Sequence, residues 1–167
     1  NSTPINPNDI DLDKNNNIWL TTTYNSFGYS GGKIYKSIDG IQFQLVHTIA
    51  DVNRTEIEPS MIDENLFWMV VSTSSGADIY KTTDNFNTVI KLENEPDDAD
   101  DGIPSTDYTR GQSWYNLEIE EIPSGDLIVG GIDLFVSSDA GNNWSQISKW
   151  SNNNNLFNLN VSLVHAD

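Results

Sequence analysis

The chain has 167 residues and a formal charge of −17, from 25 acidic against 8 basic residues. Its 37% apolar and 10% aromatic content suffices for the core of one domain, so the composition is not that of a disordered chain. The charge opposes nucleic acid and anionic membranes, no apolar run reaches a transmembrane span, and the lack of cysteine removes disulfides and thiolate metal sites.

Asn1 to Asp11 is polar and lacks the apolar region of a signal peptide. Asp9 to Leu12, the turn Asp13-Lys14-Asn15-Asn16-Asn17, and Ile18 to Leu20 then read as strand, turn, strand. A third strand at Ile34 runs into Ser37-Ile38-Asp39-Gly40, and Phe43 to Ile49 is a fourth. The same order returns with Ser60 to Ile62, Asp63-Glu64-Asn65, Leu66 to Val71, then Ile79 into Thr82-Thr83-Asp84, and Thr88 to Leu92. It returns again with Leu117 to Ile122, Pro123-Ser124-Gly125-Asp126, Leu127 to Val129, then Leu134 into Ser137-Ser138-Asp139, and Trp144 to Trp150. β-Branched and aromatic runs bounded by Asn, Asp, Gly and Pro are the hairpin pattern. No segment carries a long helical period.

Three such repeats, with aspartates about 45 and 55 residues apart, have the spacing of propeller blades. The expected fold is therefore all-β, a β-propeller segment of about three four-stranded antiparallel blades and the start of a fourth. The blades span approximately 9–49, 57–92 and 115–150, with the next beginning at 158–167. Three blades leave an open ring with unpaired edges. The expectation is a part of a larger propeller, with the remainder or another chain completing the ring.

The third repeat matches the Asp-box pattern S-x-D-x-G-x-x-W at Ser137, Asp139, Gly141 and Trp144. The first is a shortened form with Ser37, Asp39 and Phe43, and the second keeps Thr82 and Asp84 without a glycine. The chain thus resembles the Asp-box, or BNR-type, propellers found in sialidases, xyloglucanases and sortilin-like receptors. Arg110 to Leu117 and the closing Val164-His165-Ala166-Asp167 resemble a narrower group, the secreted Asp-box proteins of Bacteroidetes, many exported by the type IX system. That resemblance implies an extracellular or cell-surface location. It also implies that the boxes lie on turns between third and fourth strands, away from the ligand face. Asp39, Asp84 and Asp139 are then structural: they and their Ser or Thr partners cap turn amides, while Phe43 and Trp144 are expected to be buried.

Antiparallel order places the tight turns at one end of the molecule. It sends the long loops Tyr24 to Gly32, Ala50 to Pro59, Thr73 to Ala77, Glu93 to Tyr115 and Ser151 to Asn158 to the other. Loops on a rigid scaffold carry function. The candidate ligand-binding residues there are Tyr24, Tyr29, Arg54, Glu56, Glu58, Arg110, Trp114 and Tyr115, with Trp114 and Tyr115 packing at the sheet as the alternative role. Asp97, Asp98, Asp100 and Asp101 form an acidic cluster that suits calcium, or is simply a solvated loop. His47 reads as a surface or packing histidine. Arg54 and Arg110 are the only arginines, too few for the arginine triad of a sialidase. The favoured function is a protein- or glycan-binding scaffold. The alternatives are an Asp-box glycoside hydrolase, whose two facing carboxylates the sequence does not identify, and a cargo or subunit of an outer-membrane export assembly.

Overall fold

The computed structural model describes residues 5–96 and 107–148. Twelve strands follow one another: β1 Pro7–Leu12, β2 Ile18–Thr22, β3 Lys33–Ser37, β4 Gln44–Thr48, β5 Arg54–Pro59, β6 Phe67–Ser72, β7 Ala77–Thr82, β8 Ile90–Lys91, β9 Glu118–Glu121, β10 Leu127–Gly130, β11 Leu134–Ser137 and β12 Ser145–Gln146. Each successive set of four forms one antiparallel sheet in chain order. No helix occurs among the described residues. The protein is a segment of a β-propeller with three four-stranded blades. The fourth blade expected at 158–167 lies outside the described residues.

One expected strand is displaced. The first strand of the second blade is Arg54–Pro59, and Ser60 to Leu66 is the turn that follows. The β-forming signal in Arg54-Thr55-Glu56-Ile57-Glu58 is masked by charge, because alternate residues are ionisable. Ser60 instead caps its turn, its hydroxyl accepting from the amides of Ile62 and Asp63 at 3.1 Å each.

The cores are the two seams between blades. Cross-strand partners share a face of a sheet. Trp19 and Ile34 on blade one therefore meet Ile57, Phe67, Met69 and Val71 on blade two. Trp68, Val70 and Ile79 on the opposite face of blade two meet Ile119, Leu127, Val129 and Phe135 on blade three. Blade two is covered on both sides, which is why β6 is a continuous buried run, Phe67-Trp68-Met69-Val70-Val71-Ser72, rather than an alternating one. Burial of each such large side chain contributes roughly 1.5–3 kcal/mol.

The three Asp-box turns repeat one geometry. The hydroxyls of Ser37, Thr82 and Ser137 donate to the carboxylates of Asp39, Asp84 and Asp139 at 3.1, 2.9 and 2.9 Å. Each carboxylate then accepts amides of its own turn: Ile41 and Gln42, Thr88, and Asn142 and Asn143. Hydrogen bonds hold all three acids below the usual carboxylate range, led by the Gln42 backbone amide for Asp39, the Thr88 hydroxyl at 2.7 Å for Asp84 and the Asn143 side-chain amide at 2.6 Å for Asp139. Gly141, at φ 83°, holds a backbone conformation that favours glycine, and a Cβ there would stand 2.4 Å from Leu92 Cδ1 and push that side chain aside. Phe86 occupies the same place in the second box, at φ 67°. Its ring is buried against Trp19 and Phe67, with centroids at 5.3 and 4.9 Å. Full burial of Phe43 and Trp144 is not what the structure has: both are half-exposed, and Trp144 closes over the core from its edge while its indole N–H donates to the Asn94 carbonyl at 3.2 Å.

Candidate functional site

The end of the molecule opposite the Asp boxes is organised by Arg54. Because Arg54 begins β5, its backbone is fixed by the sheet and bridges to Thr23 of the first blade. Its guanidinium donates to the Glu56 carboxylate at 2.7 Å and reaches the carbonyls of Trp114 and Tyr115 at 3.3 and 2.5 Å. Beside it, the Asn53 carbonyl accepts from the Tyr24 amide at 2.5 Å. One connected set of bonds therefore joins Tyr24, Arg54, Trp114 and Tyr115, which are 30 to 91 positions apart in pairs from different loops and strands. The rings themselves are left outside: Trp114 is 69% and Tyr115 58% exposed, with centroids 5.5 Å apart, and Tyr24 is exposed as well.

A shallow cleft of about 310 Å³ adjoins Trp114. The turn from Ser72 to Gly76 forms one wall, and Asp107, Gly111 and Ser113 form the other. The two walls lock at Ser72 and Ser113, whose hydroxyls are 2.8 Å apart, and at Gly76, where a Cβ would lie 2.7 Å from Asp107. Asp107 does not present a free carboxylate to the cleft. It accepts from Thr109 N at 3.0 Å, Thr109 Oγ1 at 2.5 Å and Gly111 N at 2.6 Å, which pins the turn carrying Trp114. The lining is therefore hydroxyls, amides and the Trp114 side of the cleft.

Several expected ligand contacts occupy other positions. Arg54, Glu56 and Glu58 are in strand β5, not in a loop, and the two glutamates are only 4% and 6% exposed. Glu56 is held by Arg54 and by Asn8 Nδ2 at 2.8 Å, and Glu58 accepts the Glu121 amide at 3.2 Å. Burial, with Asp9 nearby, raises Glu56 to about 7. Burial, with the Asp11 carboxyl as hydrogen-bonding neighbour, raises Glu58 to about 9. Arg110 turns away from the cleft rim and donates to Asp133, a fully buried carboxylate, at 2.8 Å. Tyr29 is half-buried, its backbone closing the Asn25 turn. His47 lies half-buried on β4, 5.9 Å from Phe86, and burial lowers its pKa. The acidic cluster at Asp97, Asp98, Asp100 and Asp101 lies outside the described residues. Among the described residues no three His, Cys, Asp or Glu side chains converge as a metal site.

Two features escape the strand-by-strand reading of the sequence. One is the Ser72-to-Gly76 wall, whose signal is a hydroxyl run ending in glycine. The other is a repeated acid–Ile–acid triplet in the innermost strands: Asp9-Ile10-Asp11, Glu56-Ile57-Glu58 and Glu118-Ile119-Glu120. The register makes them equivalent, with Asp11 opposite Trp19, Glu58 opposite Trp68 and Glu120 opposite Ile128.

No family model matches this chain, and no curated protein matches it. Solved structures do resemble it in fold. YCF48 bound to D1 peptide aligns over 88% of this chain and 42% of that one, at 15% identity and a TM-score of 0.56. The GH74 enzyme of Niastella koreensis aligns over 84% of this chain and 23% of that one, at 15% identity and 0.60. Fructofuranosidase from Schwanniomyces occidentalis, complexed with fructose, aligns over 85% and 33%, at 13% identity and 0.52. The chain spans less than half the length of each of these, and the likeness is one of fold.

Proposed function

We propose that this chain is part of an extracellular propeller that binds a neutral glycan at its loop-bearing end. The observation that carries the reading is the pair Trp114 and Tyr115: two exposed rings side by side, with their carbonyls held by an arginine anchored in a sheet. Aromatic side chains have few rotatable bonds and so lose little freedom on binding, and their faces suit the apolar faces of sugars. The adjoining cleft offers hydroxyls and amides but no free cation. Arg54 is engaged by Glu56 and two carbonyls, and Arg110 by Asp133. A net charge of −17 further disfavours anionic ligands. The extracellular placement rests on the resemblance to secreted Asp-box proteins, as does a role in an export assembly.

Hydrolysis is the weaker reading for these residues. A glycosidase needs two carboxyl groups facing the scissile bond. Glu56 and Glu58 are buried and hydrogen-bonded inside the blade. A peptide ligand is the second reading, favoured by the fold shared with a peptide-bound propeller. Glycan-array binding by the intact protein, with hydrolysis followed in parallel and a basic peptide set alongside, separates the three. The expected result is retention of neutral oligosaccharides without turnover, weakened at least about tenfold in Trp114→Ala. Turnover of any oligosaccharide, or binding confined to peptides, would refute it.

A further inference from the structure

The acid–Ile–acid triplets of the three first strands begin with Asp9, Glu56 and Glu118. These three acids stand around one cation, Arg54. Glu56 binds its guanidinium directly, Asp9 is a hydrogen-bonding neighbour of Glu56, and Glu118 lies within electrostatic reach of both Asp9 and Arg54. The centre of the group is nearly dry, since Glu56 is 4% exposed. Glu56 Oε1 is crowded with donors: Arg54 Nε at 2.7 Å, Arg54 Nη2 at 2.5 Å and Asn8 Nδ2 at 2.8 Å. The Glu56 carboxyl donates to Asp9, whose carboxylate also accepts the Ile57 amide at 2.9 Å. Two carboxyl groups in such contact keep a proton between them, because like charges so close do not both ionise. The other charged neighbours are Asp11 on β1, Glu58 on β5 and Glu120 on β9, while β6 sets Val70 opposite Glu56.

The same guanidinium serves the loop that carries the exposed rings. Its Nη1 donates to the carbonyls of Trp114 and Tyr115 at 3.3 and 2.5 Å. Arg54 thus stands between a shared proton on one side and the aromatic platform on the other. We infer that the proton shared by Asp9 and Glu56 controls, through Arg54, how the backbone under Trp114 and Tyr115 is held. With the proton in place, the guanidinium meets a neutral acid and its charge serves the two carbonyls. When the proton leaves to solvent, a carboxylate competes with those carbonyls, and a bond between two ions is the stronger one. The new charge also repels Asp9. Arg54 is therefore the positioning residue of the platform, and Glu56 sets its grip. Burial raises Glu56 to about 7, which brings the change to neutral pH. Regulation of retention rests on the platform being the glycan site. A ligand that favours the gripped platform then binds more weakly as pH rises through that value.

Amide-resolved NMR of the ligand-free intact protein tests the coupling without any ligand. The amides of Tyr115 and Asn116 share peptide bonds with the two carbonyls that Arg54 holds, so their nitrogen shifts report on that grip. Both are expected to titrate with a midpoint near the Glu56 value of about 7. In Glu56→Gln they stay fixed, because the amide keeps an acceptor for Arg54 and a donor for Asp9 without a proton to lose. Asp9→Asn, which removes the neighbouring charge, moves the midpoint to lower pH and serves in its place should Glu56→Gln fail to fold. Retention of a neutral oligosaccharide is expected to weaken roughly tenfold from pH 6 to pH 8 in the wild type and to hold constant in Glu56→Gln. Circular dichroism at both pH values checks that the fold persists. Amides that do not titrate, or that titrate alike in both variants and the wild type, overturn the coupling. Wild-type retention that is equal at the two pH values overturns the regulation. Titrating amides in a protein that retains no neutral glycan at either pH uphold the coupling and overturn the glycan reading alone.

Discussion

The two ends of the molecule use the same residue types for opposite purposes. At the Asp-box end, every box carboxylate is spent on amides and hydroxyls of its own turn, and an aromatic such as Phe86 is drawn into the core. At the loop end, the charged group Arg54 is also satisfied internally, but by carbonyls of another segment, and the aromatics it supports remain in water. Internal satisfaction of charge thus builds a scaffold in both places. What differs between the two ends is where the rings are left.

The largest expected effect tests the scaffold side of this contrast. Trp19 is buried between Phe67 and Phe86, its N–H donates to Asp13 at 3.0 Å, and Lys36 lies 4.9 Å from its ring. Trp19→Ala should cost about 3–5 kcal/mol in urea denaturation. A loss below about 1 kcal/mol would mean that the blade-one seam does not hold the fold.

A smaller effect comes from the inner strands. The Glu56 and Glu58 carboxyls are raised in the folded protein, to about 7 and about 9, above their usual value of 4.5. The fold therefore binds more protons than the unfolded chain between about pH 4.5 and 9, and stability falls as pH rises through that window. The Asp-box acids have the opposite sign, their contribution being lost only as pH falls below the usual carboxylate range. The melting temperature should be higher at pH 5 than at pH 8. Glu58→Gln should raise the value at pH 8 and flatten the profile, since the neutral amide keeps an acceptor for the Glu121 amide. A melting temperature that rises from pH 5 to 8 would contradict this.

The fold was legible because turns and strands have local signals. Asp39, Asp84 and Asp139 mark the same turn in every repeat, and the apolar runs beside them have no other use. The displaced strand at Arg54–Pro59 was hidden because one of its faces carries the buried acids Glu56 and Glu58, a pattern that reads as a loop until neighbouring blades cover it. The candidate site was legible in part. Trp114 and Tyr115 are exposed beside Arg54, but nothing local shows that Arg110 is tied to Asp133, 23 positions on, or that Ser72 and Ser113 meet across a cleft. Such partnerships are tertiary and leave no periodic trace.

The central claim is that the loop end, and not the Asp-box end, is the ligand face. Amide-resolved NMR during titration with a neutral oligosaccharide selected on the glycan array tests it directly. The account predicts shifts clustered at Ser74, Ser75, Gly111, Trp114 and Tyr115. It predicts their loss in Trp114→Ala at an unfolding free energy within about 0.5 kcal/mol of wild type, as befits an exposed side chain. Saturable shifts centred on Asp39, Asp84 and Asp139, or a Trp114→Ala protein that binds as tightly as wild type, would contradict it.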